Sequence, residues 1–333
     1  MSSNVVYLSD IRQRPRAFAA FERHRHTRIH WLVECFAEWL GVFLYTYAGI
    51  GSQALYVVGN IIGIPGASSL LQIGLAYAFG VLLALAVASA TSGGHFSPAI
   101  TVAQVVFLRF PPLKALRYIV AQIFGAYIAC LLVYVQYKTL ILEASVILDA
   151  KPGGSGPVFF TPNGPGGIFA LALPLGSNMG RAFVNEFVCD YILGITIFAC
   201  LDPTNMLVPP AFAPFIIAMA YAAAIWSFSA NGLIANTARD LGGRLAALTI
   251  WGLPAGGGSY AAMAALTNIP AMLLSYLTYD LLFSDSDRVV DNSHLELLNA
   301  HKNHRRMGAG RPLTPESEGM DHEKGVVGVV ERV

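Results

Sequence analysis

Long apolar runs separated by short polar breaks dominate the chain. Six segments come close to or exceed the ~20 mostly apolar residues that a helix needs to cross a bilayer: 31–54, 70–91, 115–137, 182–201, 212–231 and 258–282. Two more apolar stretches, 97–108 and 236–250, are too short to span, and each follows a glycine-containing loop. Half-length helices at membrane depth are tolerated only where protein buries them or they line water. The pattern predicts an all-α membrane protein with six transmembrane helices and two re-entrant half-helices. Between the third and fourth spans, Pro152-Gly153-Gly154 and Pro165-Gly166-Gly167 argue against any long helix from 141 to 180. Residues 284–333 are polar, contain Pro312 and Pro315, and are expected to be largely disordered.

The two halves repeat. Ala37-Glu38-Trp39-Leu40-Gly41 stands early in the first and Asn185-Glu186-Phe187 early in the second. Ser97-Pro98-Ala99 follows the second span of the first half, and Asn236-Thr237-Ala238 follows the corresponding span of the second. Each half thus holds three spans and one half-helix. Three is odd, so the second half must insert upside down, and the half-helices meet near the midplane.

Composition removes the rival classes. Hydrophobic residues make up 55% and charged residues only 12%, against about 25% charged in soluble domains. No Asp, Glu, Lys or Arg occurs between Glu38 and Arg109. A water-soluble domain cannot surface itself with such a stretch. This excludes an ordinary cytosolic enzyme, a secreted disulfide scaffold and a disordered chain. Arg12, Arg14, Arg16, Arg23, Arg25 and Arg28 hold the N-terminal tail in the cytosol. Six spans return the C-terminus to the same side, and Arg109, Lys114 and Arg117 also fall inside. The expected organisation is a cytosolic tail over 1–30, a membrane domain over 31–283 and a cytosolic tail over 284–333. Cys35, Cys130, Cys189 and Cys200 lie in apolar segments and read as small core residues. Gly41, Gly80 and Gly125, within spans, read as sites of close helix packing. No nucleophile elbow, phosphate loop or metal-ligand spacing occurs, so neither an enzyme, a cofactor, a metal nor a nucleic-acid partner is expected.

Two motifs give the chain its likeness. Gly93-Gly94-His95-Phe96-Ser97-Pro98-Ala99-Ile100-Thr101 resembles the first signature of the aquaporin (major intrinsic protein) family, and Asn236-Thr237-Ala238-Arg239-Asp240-Leu241-Gly242 the second. The family has Asn-Pro-Ala in both places. The resemblance covers about residues 31–283. Asp240 and Arg244 are similar to the glycerol-conducting branch, and the tails and the Leu-Gly-x-Arg run to its fungal members, near the X-intrinsic group. The resemblance implies a homotetramer with one pore per subunit. It also implies that Glu38 and Glu186 accept hydrogen bonds from backbone N–H groups of the re-entrant loop of their own half.

Elementary physics gives these residues work to do. Helix N-termini carry unpaired N–H groups and partial positive charge, and two facing ends repel cations in mid-pore. Asn236 has an amide to donate to a passing hydroxyl; Ser97 has a shorter reach and one proton. Pro98 fits the first turn of a helix, whereas Thr237 lacks its fixed φ. Two plain helix caps remain the structural alternative. Arg239 is the lone charge between Asp202 and Asp240, and an intramembrane charge must face water or a partner; a local pair with Asp240 is the competing reading. His95 reads as a structural histidine beneath the loop, with a pH sensor as the alternative. Counting from the motifs in the manner of the family places the constriction at Tyr77, Ala224, Leu233 and Arg239. A small residue at 224 implies an opening wide enough for a polyol. The function expected is a passive channel in the plasma membrane for water and small uncharged solutes, glycerol-like polyols among them, excluding ions and protons. A proton-coupled transporter, for which only Glu38 and Glu186 could supply titratable groups, and a non-conducting scaffold are the rivals.

Overall fold

The computed structural model describes residues 5–174, 176–229 and 232–308. The N-terminal segment forms α1 (Arg16–His24) and a π-helical turn (Arg25–Ile29) leading into α2 (His30–Ile62). The first half continues with α3 (Leu70–Ser92), the half-helix α4 (Pro98–Leu108) and α5 (Pro112–Asp149). The second half repeats it with α6 (Met179–Leu201), α7 (Ala213–Ala223, extended by a π-turn over Ala224–Phe228), the half-helix α8 (Thr237–Trp251), and α9 (Gly258–Leu266) running on into α10 (Asn268–Leu282). Six crossing rods and two half-helices make up the membrane domain.

Leu70–Ser92, Pro112–Asp149, Met179–Leu201 and Leu253–Leu282 are each long and apolar enough to cross a bilayer. The other two crossings are α2, which is 33 residues long, and the shorter apolar helix Ala213–Phe228. Local chemistry sets the ends. Ser69 caps α3, its hydroxyl accepting from the Gln72 N–H at 3.2 Å, and Asn178 caps α6 through the Arg181 N–H at 3.1 Å. Gly63 and Gly93 end α2 and α3 in the left-handed conformation, with φ of 85° and 92°, which glycine adopts at no steric cost.

Within the first half, α2 packs on both α3 and α5; within the second, α6 packs on α7 and α10. The halves are joined by α3 against α7, and each half-helix lies against the last span of the opposite half: α4 on α10, α8 on α5. Small residues allow the approach. A Cβ at Gly125 would run into the Trp39 carbonyl, and one at Gly80 would lie 2.6 Å from the Tyr45 Cα. Gly41 instead makes room for the Phe96 ring. The outer surface is apolar, with Leu83, Val87, Leu116, Val120, Val135 and Val184 all exposed. This is what lipid-facing helices require, since their backbone groups are satisfied internally.

Three boundaries differ from the expectation. The third span is longer than 115–137. Nine residues counted as loop, 141–149, extend α5, because Ile141 and Ala144 are buried in the core beside α2 and Leu148 is buried a turn further on. The first span likewise runs past residue 54 to Ile62. The expected disorder of 284–333 does not hold for α11 (Asn292–Gly308). Asp291 starts that helix by accepting from the His294 N–H at 3.0 Å and the Ser293 hydroxyl at 2.7 Å. Residues 309–333 lie outside the described residues.

Candidate functional site

The half-helices begin in matched fashion. Phe96, just before Ser97, has φ of 46°; Ala235, just before Asn236, has φ of 55°. Left-handed backbone costs a non-glycine residue on the order of 1–3 kcal/mol and persists only where surroundings enforce it. The enforcing groups are two buried carboxylates. Glu38 on α2 accepts from the N–H groups of His95 (3.0 Å) and Phe96 (2.8 Å), and also from the Ser92 hydroxyl (2.6 Å) and the Gln122 amide (2.7 Å). Glu186 on α6 accepts from the N–H groups of Ile234 (3.0 Å) and Ala235 (2.7 Å). Each carboxylate thus bends the loop of its own half and aims the helix that follows. His95 sits beneath the first loop. Its ring packs on Phe110 and Tyr118 and its Nδ1 lies 3.2 Å from the Thr101 hydroxyl.

The caps themselves are unlike. Asn236 accepts from the N–H groups of Ala238 (2.9 Å) and Arg239 (3.3 Å), and its amide donates across the midplane to the Phe96 carbonyl at 2.9 Å. The Tyr45 hydroxyl donates to that same carbonyl at 3.2 Å. Ser97 makes no side-chain cap bond, and its buried hydroxyl has no hydrogen-bond partner. Pro98 occupies the first turn of α4, followed by buried Ala99, which packs with Ile100 and Ala103. Thr237 takes the matching place in α8 and donates its hydroxyl to Asn268 at 2.7 Å, a bond that proline could not make; Ala238 behind it is fully buried.

A cavity runs past the Asn236 cap and past Phe96, the residue before Ser97. Its walls include Val81, Leu85, Ile100, Ile197 and Ile217, and its polar side chains are those of Tyr45, Tyr77, His95, Gln104, Tyr221, Asn236 and Arg239. Three of the four residues counted into the constriction, Tyr77, Leu233 and Arg239, border it. The fourth does not: Ala224 is fully buried, while Tyr221 and Ile225 form that wall. Ile217, Tyr221 and Ile225, spaced four residues apart, share the helix face that lines the cavity, and Ala224 falls beside that face. Ser97 is absent from the wall as well, so the donor expected there does not reach the cavity.

Arg239 is held from four sides. Its Nε donates to the Tyr77 hydroxyl (3.1 Å), Nη1 to the Phe169 carbonyl (2.9 Å), and Nη2 to Gln53 Oε1 (3.2 Å) and the Ile168 carbonyl (3.3 Å). A guanidinium has five N–H groups, so these bonds leave one on Nη1. Asp240 is not its partner; that carboxylate pairs with Arg244 through bonds of 2.6 and 3.2 Å. Arg244 also donates to the carbonyls of Leu171 and Gly256, tying α8 to the loops at its side.

Sequence reasoning missed several members. Gln53 and Gln122 are amides in apolar spans, a visible signal. The carbonyls of Ile168 and Phe169 left no trace in the sequence. Asp190, one helical turn after Glu186, is a further intramembrane carboxylate. It is buried, and neither of its oxygens has a hydrogen-bond partner. Among the described residues no cluster of His, Cys, Asp or Glu suits a metal ion.

This arrangement has counterparts. The family profile described as "Major intrinsic protein" matches residues 25–253. The chain is 55% identical over 304 residues to "Aquaporin-3" of Laccaria bicolor, covering 91% of this chain and 92% of that protein. It is 32% identical over 213 residues to "Aquaglyceroporin-2" of Rhizophagus irregularis, covering 64% of each. Among solved structures, the X-ray structure of the aquaglyceroporin from Plasmodium falciparum superposes with a TM-score of 0.64 at 20% identity, over 76% of this chain and 96% of that one. At that identity the structural likeness speaks for the fold alone.

Proposed function

The chain belongs to the major intrinsic protein family, and from that premise we propose that it passes glycerol-like polyols as well as water while excluding ions and protons. A membrane channel for water and small solutes is what its family makes it; polyol passage and charge exclusion are our reading of the site. One observation carries it. The cavity pairs a long apolar wall with a narrow line of hydrogen-bonding groups, ending at an arginine with one N–H left over. A polyol has a carbon edge and a hydroxyl edge, and such a slot suits both at once.

Tyr77, Leu233 and Arg239 form the constriction in this reading, with Ile225 and Tyr221 closing the side where Ala224 is turned away. Ser97, Pro98 and Ala99 and their counterparts Asn236, Thr237 and Ala238 set the two helix ends that face one another. Asn236 alone supplies a mid-pore amide. The paired positive ends and Arg239 repel cations, and weak, replaceable contacts let neutral solutes leave. Glu38, Glu186 and Asp240 hold this machinery in place without touching solute, and His95 braces the first loop while bordering the cavity. We further propose a homotetramer with one pore per subunit, resident in the plasma membrane with both tails in the cytosol. The arginines ahead of α2 support that orientation.

Stopped-flow light scattering on proteoliposomes, with water, glycerol and urea gradients, tests the reading. Water and glycerol fluxes should both rise above those of empty vesicles, and an imposed pH gradient should leave glycerol flux unchanged. Glycerol uptake that follows the pH gradient would replace the channel by a coupled transporter. No flux of either solute would leave a scaffold.

A further inference from the structure

The segment ahead of α2 carries a surface that permeation does not use. In α1, Phe18 and Phe21 lie one turn apart on one face, exposed by 65% and 57%, and Arg16 and Arg23 project from the opposite side. Nothing in α1 is buried. Val6, Leu8 and Ile11 upstream are exposed too, as are Trp31, Leu32 and Phe36 at the start of α2. The six arginines between residues 12 and 28 face only Asp10 and Glu22, and Glu22 is already paired with Arg14 at 3.1 Å.

An exposed aromatic face opposite a basic one is not a stable surface in water, and is what a helix lying in a bilayer interface presents. The location agrees. α1 leads directly into a membrane-crossing helix, and its apolar residues continue into the exposed side chains that begin that helix. Trp31 there lies under the Arg117 guanidinium at 4.8 Å, an aromatic and a base at headgroup level. The π-turn and Ile29, with φ of −120° and ψ of 17°, interrupt the regular helix between α1 and α2, so α1 need not follow the axis of the span.

We propose that α1 lies on the adjoining leaflet, with Phe18 and Phe21 in the acyl boundary and its arginines on anionic lipid headgroups. The polarity of the surface selects this partner: apolar area supplies attachment, and the excess of arginine supplies a preference for negative lipid. The proposal goes beyond permeation and needs only that α2 crosses the membrane.

The full chain, reconstituted in phosphatidylcholine vesicles or in vesicles with phosphatidylserine added, is digested with trypsin. Cleavage after Arg16 and Arg23 is timed against cleavage after Lys302, which is exposed on α11. We expect α1 to be cut about fivefold more slowly in the anionic vesicles, with the protection lost near 1 M salt, where the Debye length is about 3 Å. The variant Phe18→Ser with Phe21→Ser keeps every cleavage site and should lose the protection. Equal rates in the two lipids overturn the proposal. So does protection that persists in neutral vesicles and disappears on dilution in detergent, which would mean that a neighbouring copy covers α1. Water permeability measured on the same vesicles shows separately whether the channel is intact.

Discussion

Glu38 and Glu186 shape matching loops with unequal margins. Glu38 accepts from two donors on each oxygen. Glu186 takes both of its backbone bonds on Oε1, and Oε2 adds only a longer contact of 3.2 Å to Ile234. An amide at position 38 must turn its NH2 toward a backbone N–H whichever way it sits, that of His95 or that of Phe96, whereas an amide at 186 keeps its carbonyl on both N–H groups. Glu38→Gln should therefore cost about 2–4 kcal/mol of stability and Glu186→Gln about 1 kcal/mol. Thermal unfolding in detergent, with folded protein measured by size exclusion, gives the order; a larger loss at 186 would contradict it. Asp190 presents the opposite case, a buried carboxyl to which no protein group donates. Thr is close to Asp in volume and can bond the carbonyl one turn back. Asp190→Thr should raise stability by about 1–2 kcal/mol and leave water flux unchanged. A loss of flux would make Asp190 a working group of the channel.

At the scale of elements, the face that α7 and its π-turn present decides what the cavity sees: Ile217, Tyr221 and Ile225 line it, and Ala224 is fully buried off the wall. Ile225→Ala should widen the slot and raise the glycerol-to-water permeability ratio. Ala224→His should act as an overpacked core substitution, costing about 1–3 kcal/mol, rather than as a narrowed filter. If the histidine lowers the ratio in folded protein and the alanine does nothing, Ala224 rather than Ile225 faces the cavity. The half-helix α8 sets a second such dependence. At Gly243 a Cβ would run into the Phe169 carbonyl, the group that receives Arg239 Nη1. Gly243→Ala should push the loop off Arg239 and lower flux several-fold with little loss of folded protein, as a small displacement of a positioning group does.

At the scale of the whole molecule, the two halves brace each other, since each half-helix rests on the last span of the opposite half. Neither half covers its half-helix completely without the other, so the repeats are expected to fold as one unit. The tails stand outside this arrangement. At the start of α11, the Ser293 hydroxyl and the His294 N–H hold the Asp291 carboxyl below the usual carboxylate range. That cap is fully present above the ordinary carboxylate pKa and is lost only as pH falls through the lower folded value, so α11 keeps its start at neutral pH. Removing residues 290–333 should leave water and glycerol permeability within about twofold, measured in vesicles at equal protein density. A large rise would identify the tail as a plug.

The hydrophobic pattern alone located all six crossings and both half-helices, because a helix in lipid must be apolar along its length and must satisfy its own backbone. The odd number of spans per half then dictated the inverted repeat, and the paired glutamates and triplets marked the matching points. Which atoms meet at the cavity was beyond the sequence. Ala224 was counted inward and is fully buried off the cavity wall, and the hydroxyl of Ser97 does not reach the cavity it was expected to serve. Arg239 is anchored by carbonyls from a loop far back in the chain, and Asp190 is left without a donor. Each of these depends on helix rotation and on contacts between distant segments. Local composition does not encode them, and packing decides them.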